Sequence, residues 1–326
     1  MFKRNKGLTV TKPDNTNSRK AVVFADGAGE GRRLDVYLAE RFTYHSRNEW
    51  QNLVGEGKIQ LNGRSSRSSR RLVKGDRIEY DTGDITEPEV DPGFNVVFSD
   101  EHIIAVSKSG NLPCHPAGIF FRNTLWRLLS EKFGKIYFVN RIDRETSGLV
   151  LLARSPAVAA AMSEAHSGIV KKYTAVVHGK FPDACNAVGF LTDGVCSAVR
   201  KKRKFYQGAR LGEKDEYSET KFRLLGANGG LSIVEAELAT GRMHQIRATL
   251  CSLGFPLVGD KIYGRDETIY LRFIEDAMTD DDRSLLMIAR QALHSSSLEF
   301  QHPISGEKLV FNAELPDDMK KLLAAT

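Results

Sequence analysis

Near the amino terminus, apolar residues recur first at helical spacing and then at strand spacing. Leu34, Leu38 and Phe42 lie four residues apart, as on one face of a short helix. The segment SRNEWQNLVGEG then opens with the Ser-x-x-Glu pattern of a capping box and ends in glycine, which predicts a second helix. Apolar and polar residues alternate in KIQLNG, which closes with the Asn-Gly signal of a tight turn. The pattern therefore predicts a small unit of two helices and short strands.

Composition divides the chain of 326 residues into four parts. Residues 1–29 are polar and show no periodicity, so we expect a flexible tail there. The small unit occupies residues 30–81 and closes with a strand over 76–80. Prolines, glycines and acidic residues predict a linker over 82–94. The remaining residues, 95–326, are numerous enough to bury a substantial core.

The carboxyl-terminal part combines hairpins with inserted helices. VVFSDEHIIAVSK predicts two strands around a polar turn, and residues 219–240 predict a hairpin that turns at 228–230. Ser155 followed by proline predicts the start of a helix. GRMHQIRATLCSLG carries apolar residues on one helical face and ends in glycine. This mixture favours the α+β class over regular βαβ alternation.

Charge and cysteine content restrict the classes of partner and site. Lysine and arginine number 47 and aspartate and glutamate 41, so the net charge of +6 favours a polyanionic partner. The four cysteines are far apart and form no C-x-x-C pair, so we expect neither a zinc site nor disulfides. The sequence contains no apolar run of 18 residues and begins without an apolar signal region, so we expect no membrane span and a cytoplasmic location.

One basic run lies inside the small unit. RSSRSSRR places Arg64, Arg67, Arg70 and Arg71 among serines whose hydroxyls can bond to phosphate oxygens. The arginine side chain suits phosphate because it offers a planar fork of donors and a constant charge. A solvated loop is the alternative interpretation of this run.

A second basic run, VRKKRKFY, follows in the carboxyl-terminal part. It contains Lys201, Lys202 and Arg203, with Phe205 and Tyr206 beside them. Basic residues can follow an RNA backbone while aromatic faces stack on unpaired bases. A surface loop or a localisation signal is the alternative.

A charged cluster meets an apolar run in VNRIDRETSGLVLLARS. Asp143 lies between Arg141 and Arg144 in this segment, and nearby positive charge favours the ionised form of a carboxylate. A carboxylate that stays ionised is a poor general acid but can act as a nucleophile. From these residues alone a solvated turn is the favoured interpretation, and the spacing does not name a reaction.

The small unit resembles the alpha-L RNA-binding module that also occurs in ribosomal protein S-four. The resemblance covers residues 31–80 and rests on RRLDVYLAERF, on SRNEWQNLVGEGKIQLNG and on VKGDRIEY. It implies an RNA-facing surface of basic residues. These residues are Arg47, Lys58, Arg64, Arg67, Arg70 and Arg71.

Residues from about 95 to 315 resemble the RluA-type pseudouridine synthases, motif after motif and in the same order. NRIDRETSGLVLLAR is similar to the H-R-L-D-x-x-T-S-G signature of that family. The further matching segments are CHPAGIFFRNTL, KKYTAVVHG, GRMHQIRATLCSLGFPLVGDKIYG and LHSSSLEFQHPISGE. The resemblance implies a large mixed, mostly antiparallel sheet with flanking helices. It also implies isomerisation of uridine to pseudouridine in RNA without a cofactor or metal.

The same resemblance assigns roles to single residues. The catalytic carboxylate falls on Asp143, and the arginine that fills the gap left by the flipped nucleotide falls on Arg141. The tyrosine that lies against the target base, a candidate acceptor of the carbon 5 proton, falls on Tyr173, and the basic partner of the aspartate falls on Arg247. Further candidate RNA contacts near them are Arg144 and His244.

The sequence leaves the target and some alternatives open. Asn140 stands where the family usually has histidine, which puts the subfamily in doubt more than the activity. The small module is shared with family members that act on large-subunit ribosomal RNA, so we expect that target, with transfer RNA as the alternative. A non-catalytic RNA-binding or ribosome-assembly protein would be indicated by loss of the site residues, and none is lost. A zinc nucleobase deaminase lacks support because no P-C-x-x-C occurs. We expect a monomer.

Overall fold

The structure is a computed structural model, and the chain divides into two compact units. The described residues are 20–27, 29–42, 47–81, 87–117, 119–163, 168–193, 197–199 and 201–324. The first unit contains the described residues up to Pro92 and those of His115–Lys132. The second contains Gly93–Cys114 and the described residues from Phe133 onwards.

The first unit holds four strands and three helices among its described residues, the third helix ending at the boundary. They are β1 Lys20–Phe24, α1 Leu34–Arg41, α2 Arg47–Gly55, β2 Ile59–Leu61, β3 Arg64–Ser65, β4 Arg77–Asp81 and α3 Leu125–Phe133. The strands form one sheet in the order β1-β4-β2-β3. The predicted helices correspond to α1 and α2, and the residues that define their periodicity are buried together, Leu34, Leu38 and Trp50 being fully enclosed. Ser46, the predicted cap of α2, lies outside the described residues.

The prediction of a flexible tail over residues 1–29 is wrong for residues 20–24. These residues form β1, which pairs antiparallel with β4 from Lys20 opposite Asp81 to Phe24 opposite Arg77. Val23 packs against the core of the unit, whereas Val22 and Phe24 on the other face are exposed. The strand has too few residues for its alternation to be read from the sequence. Residues 1–19 lie outside the described part of the chain.

The second unit is built on one sheet of eleven strands, counted over its described residues. The strands are β5 Phe94–Ser99, β6 Ile103–Lys108, β7 Tyr137–Phe138, β8 Ser147–Ala153, β9 Val170–His178, β10 Ala184–Thr192, β11 Lys204–Tyr206, β12 Glu216–Asn228, β13 Leu231–Leu238, β14 Leu293–Gln301 and β15 Lys308–Asn312. The helices are α4 Pro156–Ser163, α5 Gln245–Ser252, α6 Thr268–Ile274, α7 Asp280–Leu286 and α8 Asp317–Ala324.

The strand order confirms the predicted large mixed and mostly antiparallel sheet. The main path runs β11-β10-β12-β13-β9-β14-β8-β6-β5, with β15 paired to β14 and β7 to β8. The pairing of β14 with β8 is parallel, while β14 with β9 and β8 with β6 are antiparallel. Helices flank the sheet, so the α+β class is confirmed as well.

Two apolar clusters lie on the same face of this sheet. One contains Tyr173 of β9 together with residues of α5, and the other contains Leu298 of β14 together with residues of β8 and α4. In the register of β9 and β14, Tyr173 lies opposite Ser295 and Lys171 lies opposite Leu298. Paired residues of neighbouring strands point to the same face. The middle of the sheet, where β9, β14 and β8 meet, therefore lies between two separate cores.

The local predictions hold where both partners are close in sequence. The 219–240 segment is the β12–β13 hairpin, and VVFSDEHIIAVSK is the β5–β6 hairpin. Residues 87–93 of the predicted linker carry no helix or strand, and 82–86 lie outside the described residues. Over the described ranges, every helix is too short or too polar to cross a membrane.

Candidate active site

Asp143 lies in the loop that joins β7 to β8, and Asn140 attaches this loop to β8. The backbone N–H of Leu151 donates to Asn140 Oδ1 at 2.7 Å. An asparagine side chain can imitate a backbone partner in this way, so it prolongs the pairing of the two strands by one step. Asn140 is therefore a structural residue at the start of the loop.

Buried cations hold the backbone of the loop. Lys108 is only 2% exposed, and its ammonium donates to the carbonyl oxygens of Arg144 at 3.1 Å and Thr146 at 2.6 Å. Arg290 Nη1 donates to the carbonyl oxygen of Glu145 at 3.2 Å. Bonds from a charged donor are stronger than neutral ones, so three successive carbonyls of the loop are fixed in direction.

Gly148 lets β8 approach β14 closely enough to pair in parallel. Its φ is +103°, and a Cβ built there would lie 2.2 Å from the carbonyl oxygen of Ser295. Beside it, the Ser147 hydroxyl and His294 Nδ1 are 2.9 Å apart. A residue with a side chain cannot occupy position 148 without separating the strands, which explains the glycine in the Thr-Ser-Gly motif.

Arg247 links Asp143 to a second, fully buried carboxylate. Its Nη1 donates to Asp143 Oδ2 at 2.7 Å, while Nε and Nη2 donate to the two oxygens of Asp260 at 2.7 and 2.9 Å. Asp260 also accepts from the backbone N–H of Ile262 at 3.0 Å and Tyr263 at 2.9 Å. The bidentate pair fixes the plane of the guanidinium and so directs its free corner at Asp143.

The electrostatics of this pair keep Asp143 ionised. Burial raises the pKa of Asp143, but the charge of Arg247 and its hydrogen bond outweigh burial and lower that pKa to about 2. Burial lowers the pKa of Arg247, and the charge of Asp260 more than offsets this, so that pKa is raised. The predicted low pKa of Asp143 is thus confirmed in direction, but its cause is Arg247. Neighbouring Arg144 instead pairs with Glu145 at 3.3 Å.

Gln291 is a second positioning contact of Asp143. Its amide Nε2 donates to Thr146 Oγ1 at 2.6 Å and lies 3.4 Å from Asp143 Oδ2. The side chain is 1% exposed, so its orientation is set by these two bonds. The sequence assigned no role to Gln291 or Asp260, although Asp260 lies within the matching segment GRMHQIRATLCSLGFPLVGDKIYG.

His244 approaches Asp143 as a neutral side chain. It precedes α5 in the left-handed conformation with φ 56°, and its Nε2 lies 4.0 Å from Asp143 Oδ2. Burial, reinforced by the charge of Arg247, lowers the pKa of His244 to about 4. The hydroxyl of Tyr263 accepts from the backbone N–H of Arg203 at 2.9 Å and lies 3.0 Å from His244 Nδ1. A Tyr263 hydroxyl that donates to Nδ1 leaves the Nε2 proton on the side of Asp143.

Tyr173 lies on β9, opposite Ala236 of β13 and Ser295 of β14. It is 6% exposed, and burial together with the charge of Asp143 raises its pKa to about 12. The phenol is therefore protonated at neutral pH. Deprotonation of the resting phenol is therefore disfavoured at neutral pH, and the side chain offers the site an aromatic surface and a hydroxyl.

The prediction that Arg203 contacts RNA is wrong. Its side chain is 2% exposed and forms ion pairs with Asp193 at 2.7 Å and Glu216 at 2.6 Å. Phe205, expected to stack on bases, is buried in the core of the second unit because it belongs to β11. The segment VRKKRKFY, which the sequence indicated to be a basic loop, therefore ends in a strand in which exposed and buried residues alternate.

Lys201 and Lys202 differ from each other in environment. Lys202 forms an ion pair with Glu267 and is 18% exposed. The Lys201 residue is exposed, and its ammonium lies 4.8 Å from the ring centroid of Tyr270. Of the three candidates Lys201, Lys202 and Arg203, Lys201 is therefore the exposed one, and its contact with RNA stays a prediction.

In the first unit, the predicted RNA-facing arginines of the 64–71 run are exposed. Arg64, Arg67, Arg70 and Arg71 all belong to this surface, and Arg71 Nη1 also donates to the carbonyl oxygen of Gly31 at 2.7 Å. We call these four residues the arginine run. Its exposure is compatible with phosphate contacts and with a solvated loop, so RNA binding by the run stays a prediction.

Arg47 and Lys58 already have partners within the first unit. Arg47 Nε donates to Asp35 Oδ2 at 3.0 Å, and Lys58 pairs with Glu56 at 2.9 Å. Asp35 is fully buried and accepts from Arg33 as well, at 3.0 and 3.1 Å. Half of the Arg47 side chain is nevertheless exposed, so the buried carboxylate holds it in place at the surface.

Metal ligands are not grouped in the described part of the chain. No cluster of three or more His, Cys, Asp or Glu side chains that could hold a metal ion occurs among the described residues. The charged groups around Asp143 are instead satisfied by one another.

Comparison with solved structures places the fold. The human protein RNA pseudouridylate synthase domain containing 4 superposes with a TM-score of 0.55, at 21% identity, over 71% of this chain and 92% of that one. Human RNA pseudouridylate synthase domain containing 1 gives a TM-score of 0.51 at 21% identity, over 74% of this chain and 97% of that one. The architecture is therefore that of pseudouridylate synthases.

Comparison of sequences identifies the family to which the chain belongs. A family model for RNA pseudouridylate synthase matches residues 102–252, and one for the S4 domain matches residues 32–78. Ribosomal large subunit pseudouridine synthase D of Zymomonas mobilis is 32% identical, over 90% of this chain and 93% of that protein. The protein of the same name from Xanthomonas campestris is 29% identical, over 97% and 94%. The chain belongs to the RNA pseudouridylate synthase family, to its RluA-type members with an amino-terminal S4 domain, and is an RNA pseudouridine synthase.

Proposed function

We propose that the chain isomerises uridine to pseudouridine in large-subunit ribosomal RNA, with Asp143 as the nucleophile. The state of the Asp143 carboxylate carries this proposal. Its side chain is 30% exposed, its pKa is about 2, and Arg247 donates to one of its oxygens at 2.7 Å. Nucleophilic catalysis by a carboxylate requires a group that is ionised, oriented and accessible, and Asp143 meets all three conditions.

The reaction balances without an added group. Asp143 attacks carbon 1′ of the ribose, and the bond from that carbon to nitrogen 1 of the base breaks. The base turns, its carbon 5 forms a new bond to carbon 1′, and the carboxylate leaves. Carbon 5 loses its proton and nitrogen 1 gains one, so the product is an isomer of the substrate. The alternative role for the same carboxylate is that of a base acting on the sugar.

The surrounding residues have separate tasks in this proposal. Arg247 keeps Asp143 ionised, and Gln291 with Asp260 limits how far the pair can turn. Tyr173 lies against the extruded base. Extrusion costs a few kcal/mol, which contacts elsewhere on the RNA must offset. Arg141, an exposed residue two positions before Asp143, takes the place of the extruded base in the stack.

Two observations support large-subunit ribosomal RNA as the target. The proteins from Zymomonas mobilis and Xanthomonas campestris, whose names state that substrate, align over at least 90% of this chain. The S4 match at residues 32–78 adds an RNA-binding element outside the region that contains Asp143. Binding energy from such a remote contact can be used to extrude the base. A cytoplasmic location and a monomeric state are part of the same proposal.

Replacement of Asp143 by asparagine tests the nucleophile. Asp143→Asn keeps the shape of the side chain but removes its charge, so pseudouridine formation should fall by roughly 10⁴-fold, a loss typical of removing a covalent catalyst. RNA binding should persist because the phosphate contacts are untouched. Pseudouridine is mapped across total RNA from cells that carry the wild-type gene, the variant or no copy.

Appreciable turnover by Asp143→Asn would refute the assignment of the nucleophile. Sites that depend on the gene but occur in transfer RNA alone would refute the ribosomal target and leave the chemistry intact. The matched control is Glu145→Gln, two residues away in the same loop, which removes a carboxylate that pairs with Lys261 at 2.9 Å and with Arg144 at 3.3 Å. We expect this control to retain pseudouridine formation.

A further inference from the structure

We propose that Lys171 binds an RNA phosphate next to the target uridine. This inference rests on the proposed function and adds a residue to its binding site. Lys171 lies two positions before Tyr173 on β9, so the two side chains point to the same face of the sheet and their Cα atoms are roughly 6.5 Å apart. The base of the uridine and the ammonium of Lys171 are therefore neighbours on one surface.

The strand register places the stem of Lys171 between the two cores. Its partner on β13 is Leu238, which packs against the cluster that contains Tyr173. Its partner on β14 is Leu298, a member of the other cluster. Paired side chains share a face, so the aliphatic part of Lys171 is sandwiched by leucines at the place where the two cores separate.

The ammonium of Lys171 reaches the loop that leads into α5. A Cβ built on Gly241 would lie 3.9 Å from Lys171 Nζ. The same loop ends in His244, whose imidazole lies 4.0 Å from Asp143. Because position 241 is glycine, no side chain at this position lies over the ammonium.

The charge of Lys171 is not balanced within the described part of the protein. Lys171 is half-buried, and burial lowers its pKa without a carboxylate acting on it. The next residue, Lys172, lies on the opposite face of β9 and pairs with Glu235 and Glu237, both at 3.6 Å. A cation withdrawn from water is costly unless an anion accompanies it, so this arrangement fits a ligand that brings its own negative charge.

The reaction supplies such an anion. When Asp143 faces the ribose and Tyr173 faces the base, the phosphates attached to that ribose lie at the rim of the same site. A lysine ammonium binds phosphate as a point charge and tolerates several directions of approach. A fixed phosphate would hold the ribose against Asp143 while the base is detached, which is when the substrate is least constrained.

Replacement of Lys171 by glutamine, with Lys172→Gln as the matched control, tests this inference. Binding is measured in the Asp143→Asn background, with large-subunit ribosomal RNA from cells that lack the gene, as a function of salt. Lys171→Gln should weaken binding about tenfold and reduce the slope of log affinity against log salt by roughly 0.7–0.9, the value of one phosphate contact. Lys171→Arg should restore most of the slope, and Lys172→Gln should behave as the parent.

Two results would overturn the inference. One is a slope for Lys171→Gln equal to that for Lys172→Gln, with both variants folded. The other is a lowered melting temperature for Lys171→Gln with an unchanged slope in the folded protein, which would make the residue structural. Failure of the proposed function has a different signature, since the wild-type protein would then add no pseudouridine to this RNA whatever the behaviour of Lys171.

Discussion

The charge of Asp143 is set by a residue 104 positions away in the chain and not by its neighbours. Burial by itself would raise the pKa of this carboxylate, and the guanidinium of Arg247 reverses the effect. Arg247 can do so because Asp260 occupies its other edge. At the scale of single residues, the site is therefore a chain of three charged groups in which the outermost carboxylate is left to react.

Removal of the Arg247 charge should reveal the effect of burial on the pKa of Asp143. In Arg247→Met the pKa of Asp143 should rise above its ordinary value, because desolvation then acts without compensation. The folded pKa of about 2 means that wild-type Asp143 stays ionised throughout pH 5–8. The variant should lose activity by roughly 10²–10³-fold at neutral pH and lose more as the pH falls. Single-turnover rates measured across this pH range provide the test.

The control for this prediction is Arg144→Met. Arg144 is next to Asp143 in sequence, but it pairs with Glu145 and lies over the ring of Phe273. Its loss should leave the acid side of the pH profile where it is in the wild type. A profile for Arg247→Met that keeps the wild-type acid limb would show that Asp143 does not depend on Arg247.

At the scale of elements, the loop between β7 and β8 is held chiefly by its backbone. Lys108, at the end of β6, bonds to two of its carbonyl oxygens, and Arg290, just before β14, bonds to a third. One buried cation of the loop thus comes from β6 and the other from the segment that leads into β14. The Asp143 carboxylate is positioned by the sheet and not by the sequence of the loop alone.

Lys108→Met should therefore loosen the loop without removing a group that touches the substrate. The methionine keeps the buried volume, but the carbonyls of Arg144 and Thr146 lose a charged donor, which is worth roughly 1.5–3 kcal/mol per bond. We expect kcat to fall about tenfold or more with a smaller change in KM. Hydrogen exchange of the 141–146 amides should become faster. Unchanged exchange and kcat would contradict this role for Lys108.

How far the sequence predicts these elements depends on the separation of their partners. The β12–β13 hairpin was predictable because its turn residues lie between the strands that pair. The parallel pairing of β8 with β14 was not, since His294 and Ser147 are 147 residues apart and nothing local records their contact. The same reason hid the contact of Gln291 with Asp143. The role of Asp143 could be predicted only through the motif resemblance, because a family motif carries information about distant contacts.

Arg203 illustrates the opposite error. Its position among five basic residues in VRKKRKFY indicated a solvated or RNA-binding run, because composition carries no information on which face a side chain takes. In the structure, its guanidinium pairs with Asp193 and Glu216, and its backbone N–H donates to the hydroxyl of Tyr263, a neighbour of His244. A residue predicted to bind RNA is instead part of the packing behind the active site.

At the scale of the whole molecule, the positive charges behind the net charge of +6 differ in how much they can attract RNA. Many exposed cations have a carboxylate partner, as Arg223 has Glu235 and Lys308 has Glu299. Such pairs contribute little to the attraction of a polyanion, because the carboxylate offsets the positive charge that an approaching phosphate experiences. The arginine run of the first unit is a concentrated group of exposed positive charge, and we expect it to account for much of the salt dependence of RNA binding.

Neutralisation of the arginine run should reduce that salt dependence. Changing Arg64, Arg67 and Arg70 to alanine removes up to three phosphate contacts, so the slope of log affinity against log salt should decrease by roughly 2–3. Arg71 is kept because it bonds to Gly31. The matched control changes three exposed cations of the second unit that have carboxylate partners, namely Arg223, Arg283 and Lys308. Equal slopes for the two triple variants would show that the arginine run is a solvated loop and that RNA is held elsewhere.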